Sequence, residues 1–380
     1  MNAPAAHPTL PESPDQVDGR VVVAMSGGVD SSVIAAWMHD AGYDVVGVSM
    51  RLYRTPEGDP GKSCCSPDDL YDARAVASSR GFPFYVANYQ DVFRDRVVQH
   101  FVDEYRRGRT PSPCVLCNDH LKFDVLLERT LALDGALLVT GHYARIEPRG
   151  DRWALLRGAD PAKDQSYFLF GLQRASLARI RFPLGGLTKA DVRALGEALE
   201  VETATKPESQ DICFVGGGHY ADFVEARLAA DEIRTGEVVR VDTGEVLAEH
   251  GGIHRFTVGQ RRGLGVSAAE PLYVVGIDPE SGQVRVGPRE SLDQRRFVVE
   301  RCNWLRWDTP PASFAADTKV RYRHAGQPAH VEVDPTDPTR ATVTLDAAAR
   351  AIAPGQAAVF YDGDEVLGGG WILAVGEGAS

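Results

Sequence analysis

The sequence lacks the features that would tie it to a membrane or to a secretory route. No run of apolar residues approaches the roughly 18 that a transmembrane helix needs. The first 20 residues contain four prolines and no apolar segment of the kind found in signal peptides. These absences predict a cytoplasmic protein with no membrane partner.

The sequence also has few cysteines and fewer basic than acidic residues. Six cysteines in 380 residues are too few for a disulfide-built scaffold, so they are expected to be buried apolar side chains, reactive thiols or metal ligands. The chain carries 53 acidic and 41 basic residues, a net charge of −12, which argues against a surface coated in positive charge for non-specific nucleic-acid binding; no DNA partner is expected. A local basic groove is compatible with this balance.

The remaining composition is that of an ordinary globular protein, and its length predicts two or three domains after a tail. Residues 1–20 are rich in proline and poor in apolar side chains, which predicts a disordered tail. Residues 21–205 alternate apolar runs with helical stretches, the pattern of an α/β domain with a doubly wound parallel sheet. Glycine-punctuated short strands then predict a small central domain over 206–281 and a C-terminal antiparallel β-barrel over 282–380.

Individual elements can be predicted within this division. In the first domain the expected strands are 21–25, 45–49, 84–87 and 137–140, and the expected helices are 32–41, 67–80 with Ser66 as N-cap, 92–107 and 118–133. Further along, the predicted strands are 273–277, 283–286, 319–323, 329–333, 341–345 and 357–361.

The segment AMSGGVDSS, residues 24–32, directly follows the first predicted strand and opens the first predicted helix. Gly27 and Gly28 allow the backbone to approach an anion, while Ser31 and Ser32 offer N–H and hydroxyl donors at a helix N-terminus. The lysine of a GxxxxGK[ST] loop is missing. The pattern favours a phosphate site, although a tight strand-to-helix turn could use the same residues.

Three cysteines are candidates for chemistry. Cys114 and Cys117 form a CxxC just before a predicted helix, where the pKa of a thiol is lowered, and Cys213 lies far downstream. Four-cysteine zinc binding would need a second pair, and the adjacent Cys64 and Cys65 have poor geometry for one tetrahedral ion. The residues alone favour reading Cys213, which lies between Ile212 and Phe214, as a buried apolar thiol.

Taken together, these motifs resemble the tRNA-specific 2-thiouridylases, a family of N-type ATP pyrophosphatases. The match runs from about residue 21 to 375 and follows the family's order: SGGVDSS, GRTPSPCVLCN, TGHYAR, KDQSYFL, DICF, GQRRGLG, PGQ and AVFY. The resemblance implies adenylation of the C2 oxygen of the wobble uridine, U34, in the tRNAs for Lys, Glu and Gln. Sulfur then replaces that oxygen to give 2-thiouridine.

The resemblance also implies which residues bind the substrates and cofactors. ATP, with magnesium whose ligands stay unassigned, is expected at Ala24, Met25, Ser26, Gly27, Gly28, Val29, Asp30, Ser31, Ser32 and Gly141. Met50 is added because it follows the second predicted strand, where it could contact adenine, although its position equally suits core packing. Contacts to tRNA are expected at Ser112, Pro113, Cys114, His142, Lys163, Asp164, Gln165, Arg321, Tyr322 and Gln356. Arg321, Tyr322 and Arg323 also form a basic cluster with an interleaved aromatic, which suits nucleic acid but is often only a solvated face.

By the same resemblance Cys213 receives sulfur as a persulfide from a donor protein, and Cys117 is its partner thiol in a disulfide. Many family members have aspartate, proposed as an acid/base group, where this chain has Cys114, and a thiol titrates much higher than a carboxyl group. The alternative is that Cys114, Cys117 and Cys213 hold a [4Fe-4S] cluster whose open iron carries the sulfide. Competing functions are another ATP pyrophosphatase acting on a small molecule and a regulatory nucleotide-binding module without catalysis.

Overall fold

The computed structural model describes residues 8, 10, 12–53, 66–206, 212–216 and 218–376. Internal contacts divide the chain into two units. The first consists of Met1–Arg96, Cys114–Gly217 and Asp364–Val366, and the second of Val97–Pro113, Gly218–Gly363 and Leu367–Ser380. No helix among the described residues has the length and apolar character needed to cross a membrane.

The α-helices fall mainly in the first 200 residues. They are α1 (Val29–Asp40), α2 (Pro67–Arg80), α3 (Gln90–Phe93), α4 (Gln99–Arg106), α5 (Pro113–Cys117), α6 (Leu126–Ala132), α7 (Lys189–Ala198) and α8 (Tyr220–Glu225). The π-helical segments Arg94–Val98 and Asn118–Val125 join α3 to α4 and α5 to α6. The helices predicted over 92–107 and 118–133 are therefore present as these two continuous helical runs.

The strands of the first unit are β1 (Arg20–Ala24), β2 (Val45–Arg51), β3 (Phe84–Asn88), β4 (Gly135–Val139), β5 (Ala144–Arg149), β6 (Arg152–Arg157) and β7 (Ile180–Arg181). Those that follow are β8 (Gly236–Arg240), β9 (Val246–His250), β10 (Tyr273–Ile277), β11 (Val284–Gly287), β12 (Asp293–Trp304), β13 (Ser313–Lys319), β14 (Gln327–Val333), β15 (Ala341–Arg350), β16 (Ala357–Asp362) and β17 (Glu365–Val375).

The first unit contains the predicted parallel sheet. Its strand order is β3-β2-β1-β4-β7, with parallel pairing throughout. In β1 and β2, consecutive and mainly apolar residues are buried, including residues 21–23 and 45–48, as expected of a sheet covered on both faces. The chain leaves β1 toward β2 on one side, while β4 lies on the other, so the carboxyl ends of β1 and β4 flank a crevice of the kind in which such sheets bind ligands.

Local signals place α2 where the sequence predicts it. The Ser66 hydroxyl accepts a hydrogen bond from the Asp69 backbone N–H at 3.1 Å, and the Asp69 carboxylate accepts one from the Ser66 backbone N–H at 3.2 Å. This capping box fixes the first turn. The helix ends at Gly81, which adopts the left-handed conformation with a φ of 80°.

Residues 12–20 fall within the segment predicted to be a disordered tail, but in the structure they pack on other residues of the first unit. Pro14–Gln16 form a short 3-10 helix, and the Tyr43 hydroxyl donates to the backbone carbonyl of Glu12 at 2.8 Å. Leu10 and Val17 pack against the core. Residues 1–7, 9 and 11 of the predicted tail, and the predicted cysteine pair Cys64 and Cys65, lie outside the described residues.

The second unit contains a small mixed sheet in the order β10-β11-β8-β9. In it, β10 and β11 pair antiparallel, and β11 also pairs parallel with β8. The predicted boundary between residues 281 and 282 therefore falls inside a hairpin, because the pairing of β11 assigns residues 284–287 to the central sheet rather than to the barrel.

The C-terminal strands form the predicted closed antiparallel barrel. The order is β12-β15-β14-β13-β16-β17, and pairing of β12 with β17 closes the ring. In β14, alternate residues such as Ala329 and Val331 are buried in the core of the barrel, whereas nearly all of β16 is buried. The strand predicted over 319–323 is wrong: β13 ends at Lys319, and the next residues form a turn closed by a hydrogen bond from the His324 N–H to the Arg321 carbonyl oxygen at 3.0 Å.

Candidate active site

The loop between β1 and α1 has the geometry of an anion cradle. Gly27 adopts a φ of 77°, and a Cβ there would lie 2.0 Å from the carbonyl oxygen of Asp69, so glycine is required. The Ser31 hydroxyl accepts from the Ser26 N–H at 3.1 Å and lies 3.3 Å from the Gly28 carbonyl oxygen. These bonds hold the loop at the N-terminus of α1, where unpaired N–H groups favour anions.

The loop opens on a cavity of about 350 Å³ at the carboxyl ends of the central strands. Its walls include the predicted nucleotide residues Ala24, Met25, Ser26, Asp30, Ser31, Met50 and Gly141, and the predicted tRNA residues His142 and Gln165. Gly27, Gly28, Val29 and Ser32 shape the loop and the first turn of α1 without lining the cavity. The remaining lining residues, which were not predicted from the sequence, are Val48, Ser49, Leu52, Leu70, Lys122 and Thr140.

For some of these residues the sequence contains a pattern that could have predicted their place on the cavity wall, and for others it does not. Val48 and Ser49 lie within β2 and Leu52 follows it, so the rule that ligands bind toward the carboxyl ends of parallel strands could have found Ser49 and Leu52. Lys122 lies within a helical run, and nothing in its neighbourhood distinguishes it from a solvated helix residue. Only tertiary structure brings it to the cavity.

Asp30 is charge-compensated within the first unit. Its Oδ1 accepts hydrogen bonds from the Tyr143 hydroxyl at 2.9 Å and from the Lys189 ammonium at 2.7 Å. Gly141 packs closely against this turn, since a Cβ there would lie 3.1 Å from the Ser31 backbone nitrogen. Asp30 therefore organises the start of α1 and ties it to the end of β4.

A second lysine neutralises acidic groups beside the loop. The Lys206 ammonium donates to Asp69 and Asp72 at 2.6 Å each and to the Gly27 carbonyl oxygen at 3.3 Å. Burial opposes the charged form of Lys206, but these two carboxylate contacts outweigh it and raise its pKa. The ammonium therefore stays charged and braces the loop against α2.

His142 is buried on the cavity wall and is held neutral. Its Nδ1 lies 2.5 Å from the Thr140 hydroxyl, and its Nε2 lies 3.4 Å from the Lys122 ammonium. Burial first, and the nearby positive charge of Lys122 second, lower the pKa of the imidazole well below its ordinary value. Because an ammonium can only donate, Nε2 is the acceptor and the ring proton lies on Nδ1.

The predicted tRNA segment around Lys163 forms part of the first unit's loop structure. The Asp164 carboxylate is buried and accepts from the backbone N–H groups of Gly158 and Ser166, each at 3.0 Å. Gln165 Oε1 accepts from the Tyr143 N–H at 2.9 Å. Asp164 therefore stabilises the loop, Gln165 belongs to the cavity, and Lys163 is half-exposed.

The three candidate cysteines do not line this cavity. Cys114 is exposed on α5, Cys117 ends that helix and is half-buried, and Cys213 is half-buried in a turn. Phe214, which follows Cys213, packs edge-on against Phe93 at 5.6 Å between ring centroids. Among the described residues, no three His, Cys, Asp or Glu side chains gather closely enough to hold a metal ion.

The other predicted tRNA residues lie in the second unit. Ser112 and Pro113 are buried before Cys114. Gln356 Nε2 donates to backbone carbonyl groups of the segment preceding Ser112. Arg321 and Tyr322 are half-exposed in the turn after β13, where the guanidinium donates to the Arg350 carbonyl oxygen at 2.8 Å.

Comparison with protein families assigns all three parts of the chain. The tRNA methyl transferase HUP domain matches residues 19–217. The tRNA methyl transferase PRC-barrel domain matches residues 221–288, and the aminomethyltransferase beta-barrel domain matches residues 294–372.

Individual relatives agree over nearly the whole length. The tRNA-specific 2-thiouridylase MnmA of Geobacter metallireducens is 50% identical over 361 residues, covering 93% of this chain and 97% of its own. That of Solibacter usitatus is 48% identical over 378 residues, covering 96% and 100%. A solved 4-thiouridine synthetase–RNA complex with bound ATP gives a TM-score of 0.37 at 15% identity, over 55% of this chain and 50% of that one. On the identity and coverage of the sequence relatives, the chain belongs to the tRNA-specific 2-thiouridylase family.

Proposed function

We propose that the protein catalyses ATP-dependent 2-thiolation of the wobble uridine, U34, in tRNA. The observation that carries this proposal is the lysine-free Ser-Gly-Gly loop, which opens on a cavity at the carboxyl ends of parallel strands. Support comes from relatives that are named 2-thiouridylases and match nearly the full chain.

The reaction begins with activation of the uridine, because a carbonyl oxygen is a poor leaving group. The C2 oxygen attacks the α-phosphorus of ATP, pyrophosphate leaves, and AMP becomes attached through that oxygen. The loop N–H groups and the hydroxyls of Ser26 and Ser31 suit this step, since fixed donors stabilise charge that develops on phosphate oxygens.

Sulfur then replaces the adenylated oxygen. Cys213 receives a persulfide from a donor protein, its terminal sulfur attacks C2, and AMP leaves with the former C2 oxygen. The Cys117 thiolate attacks Sγ of Cys213, which breaks the S–S bond, leaves sulfur on the uridine and forms a Cys117–Cys213 disulfide.

In the other order of steps, the Cys117 thiolate attacks the Cys213 persulfide first and releases hydrosulfide, which then attacks C2. In either order a thiol reductant supplies two electrons to restore both cysteines.

The arrangement of the described residues does not fit a metal centre. Cys114, Cys117 and Cys213 are not gathered as ligands of an iron–sulfur cluster, and the Oδ1 of Asp30 already accepts from two donors. The proposed reaction therefore has no step through an iron–sulfur cluster, and it assigns no magnesium ligand in the chain.

The proposed substrates are the tRNAs for Lys, Glu and Gln, and the proposed sulfur source is a protein that carries persulfide or sulfide. Arg321 and Tyr322, half-exposed beside each other, suit a phosphate or base contact. Replacing Arg321 with alanine is expected to weaken tRNA retention in a filter assay without changing affinity for ATP. Unchanged tRNA affinity would remove Arg321 from the proposed interface.

The decisive experiment measures 2-thiouridine by mass spectrometry in an unmodified glutamate tRNA transcript after incubation with ATP, sulfide and reductant. A transcript with cytidine at position 34 is the substrate control. The expected result is one sulfur at U34, one AMP released per sulfur, and no product when ATP is replaced by AMP. Cleavage of ATP without any tRNA-dependent sulfur incorporation would instead indicate a pyrophosphatase acting on another substrate.

The cysteine assignments are tested with sulfur delivered as a protein persulfide. Cys213→Ser and Cys117→Ser are expected to abolish thiolation while adenylation of tRNA continues. Cys302→Ala is the control, because Cys302 is buried in the barrel core and burial raises the pKa of its thiol. Full activity of Cys213→Ser would contradict the persulfide assignment.

A further inference from the structure

We infer that Lys122 is the cationic contact for the nucleotide phosphates, an inference that rests on the proposed use of ATP. The phosphate loop lacks the lysine that a Walker A loop supplies, yet a triphosphate carries several negative charges. Lys122 lines the same cavity as Ser26 and Ser31, although it lies about 90 positions further along the chain.

The other lysines near the loop are already compensated by carboxylates. Lys189 pairs with Asp30, and Lys206 is shared between two aspartates of α2. Lys122 differs, because among the described residues its ammonium has no carboxylate within ion-pair distance and its neighbour is an imidazole. Its positive charge is therefore available to an anionic ligand.

The contact with His142 orients Lys122 without cancelling its charge. The ring accepts from Lys122 through Nε2 and is fixed on its other side by Thr140. A neutral acceptor restricts the ammonium to one part of the cavity wall while leaving two of its three N–H donors to point elsewhere. This arrangement prepares a cation for phosphate oxygens before the nucleotide arrives.

The position of Lys122 also connects the nucleotide to the cysteine pair. Lys122 lies in the π-helical segment Asn118–Val125, which continues directly from the helix that ends at Cys117. Segments of π-helix are rare in proteins and occur frequently at functional sites. A phosphate held by Lys122 would thus be bound to the same helical run that carries Cys117.

The test compares binding of ATP and of adenosine to Lys122→Met, Lys122→Arg and the wild-type full chain by calorimetry. Loss of a charge-assisted phosphate contact is expected to weaken ATP binding by about 10- to 100-fold in Lys122→Met. Adenosine affinity is expected to stay unchanged, and Lys122→Arg is expected to recover most of the ATP affinity. Arg129→Met removes the same charge from an exposed site on α6 and is expected to change neither affinity.

An equal loss of ATP and adenosine binding in Lys122→Met would overturn the inference, because it would indicate a general distortion of the cavity. Unchanged ATP binding in that variant would overturn it as well. Since neither readout uses tRNA or sulfur, a wild-type protein that binds ATP but produces no thiouridine would refute the proposed reaction and leave this inference standing. A wild-type protein that binds no ATP would overturn both.

Discussion

The side-chain Nε2 of Gln356 donates to the backbone carbonyl oxygen of Thr110 at 3.0 Å. A second contact from the same nitrogen reaches the carbonyl oxygen of Pro111 at 3.2 Å, and the Thr110 N–H donates to the Pro354 carbonyl oxygen at 2.8 Å. A Cβ on Gly355 would come within 3.0 Å of Thr110. The PGQ turn of the barrel therefore holds the Thr110–Pro111 segment within the second unit, which gives Gln356 a positioning role for that segment beside its predicted contact with tRNA.

Replacing Gln356 with glutamate is expected to loosen this attachment, because a carboxylate cannot donate and would face two carbonyl oxygens. The free energy of unfolding is expected to fall by about 1–3 kcal/mol, the cost of leaving such groups unpaired. Hydrogen–deuterium exchange is expected to show faster exchange of the Thr110 amide. Gln327→Glu makes the same change at a half-buried strand position and is expected to have no such effect. Equal protection of Thr110 in both variants would contradict the positioning role.

Contacts of this kind mark the limit of what the sequence could predict. The capping box at Ser66 and the anion-binding loop depend on residues within a few positions of each other, and their patterns are readable directly. Gln356 and Thr110 are 246 positions apart, and their contact depends on barrel closure. The strand predicted over 319–323 was wrong for a related reason: alternation of side chains could not show that β13 ends at Lys319 before a turn.

The tight approach at Gly27 gives a prediction with a neighbouring control. In Gly27→Ala the new methyl group would overlap the Asp69 carbonyl oxygen, and the left-handed backbone adds about 1–2 kcal/mol of strain. We expect lost ATP binding and a lower melting temperature. At Gly28, where φ is −85°, the nearest described atom to a Cβ would be the Ser26 hydroxyl oxygen at an ordinary 3.6 Å, so Gly28→Ala is expected to keep the wild-type melting temperature. Equal melting temperatures for the two variants would contradict the steric argument.

Glu12 is expected to stabilise the first unit, although the composition of residues 1–20 predicts a disordered tail. Arg181 is 2% exposed, stacks on Trp153 at 3.9 Å and donates from Nε to the Glu12 carboxylate at 3.0 Å. Glu12→Ala leaves a buried guanidinium without its counter-charge, which is expected to cost about 3–5 kcal/mol. Glu12→Gln keeps an acceptor and should cost less.

The measurement for Glu12 is urea unfolding together with hydrogen–deuterium exchange of the first unit. Glu12→Ala is expected to speed exchange in β7, which carries Arg181, more than in the barrel strands. Asp15→Ala, in the same N-terminal segment, is the control because its exposed carboxylate accepts from the nearby Ser13 hydroxyl and, among the described residues, forms no ion pair. An alanine variant of Glu12 as stable as this control would show that the N-terminal segment does not compensate Arg181.

The buried imidazole of His142 should make the first unit sensitive to acid. Its pKa is lowered in the folded protein, whereas an unfolded chain has a histidine pKa of about 6.5. Below that pH the unfolded state binds a proton at His142 that the folded state does not bind. The contribution of His142 to the free energy of unfolding is therefore fully present above about pH 6.5. It falls by up to about 1.4 kcal/mol per pH unit as the pH drops below that value. In His142→Gln, which keeps an acceptor for Lys122, urea midpoints at pH 7.5, 6.5 and 5.5 are expected to fall less steeply than in the wild type.

Other histidines with lowered pKa values, such as His254, are common to both proteins and cancel in the comparison. His330→Gln, at an exposed strand position, is expected to leave the slope as it is in the wild type. Parallel slopes for His142→Gln and the wild type would mean that His142 is protonated inside the folded protein, and its fixed tautomer beside Lys122 would then be wrong.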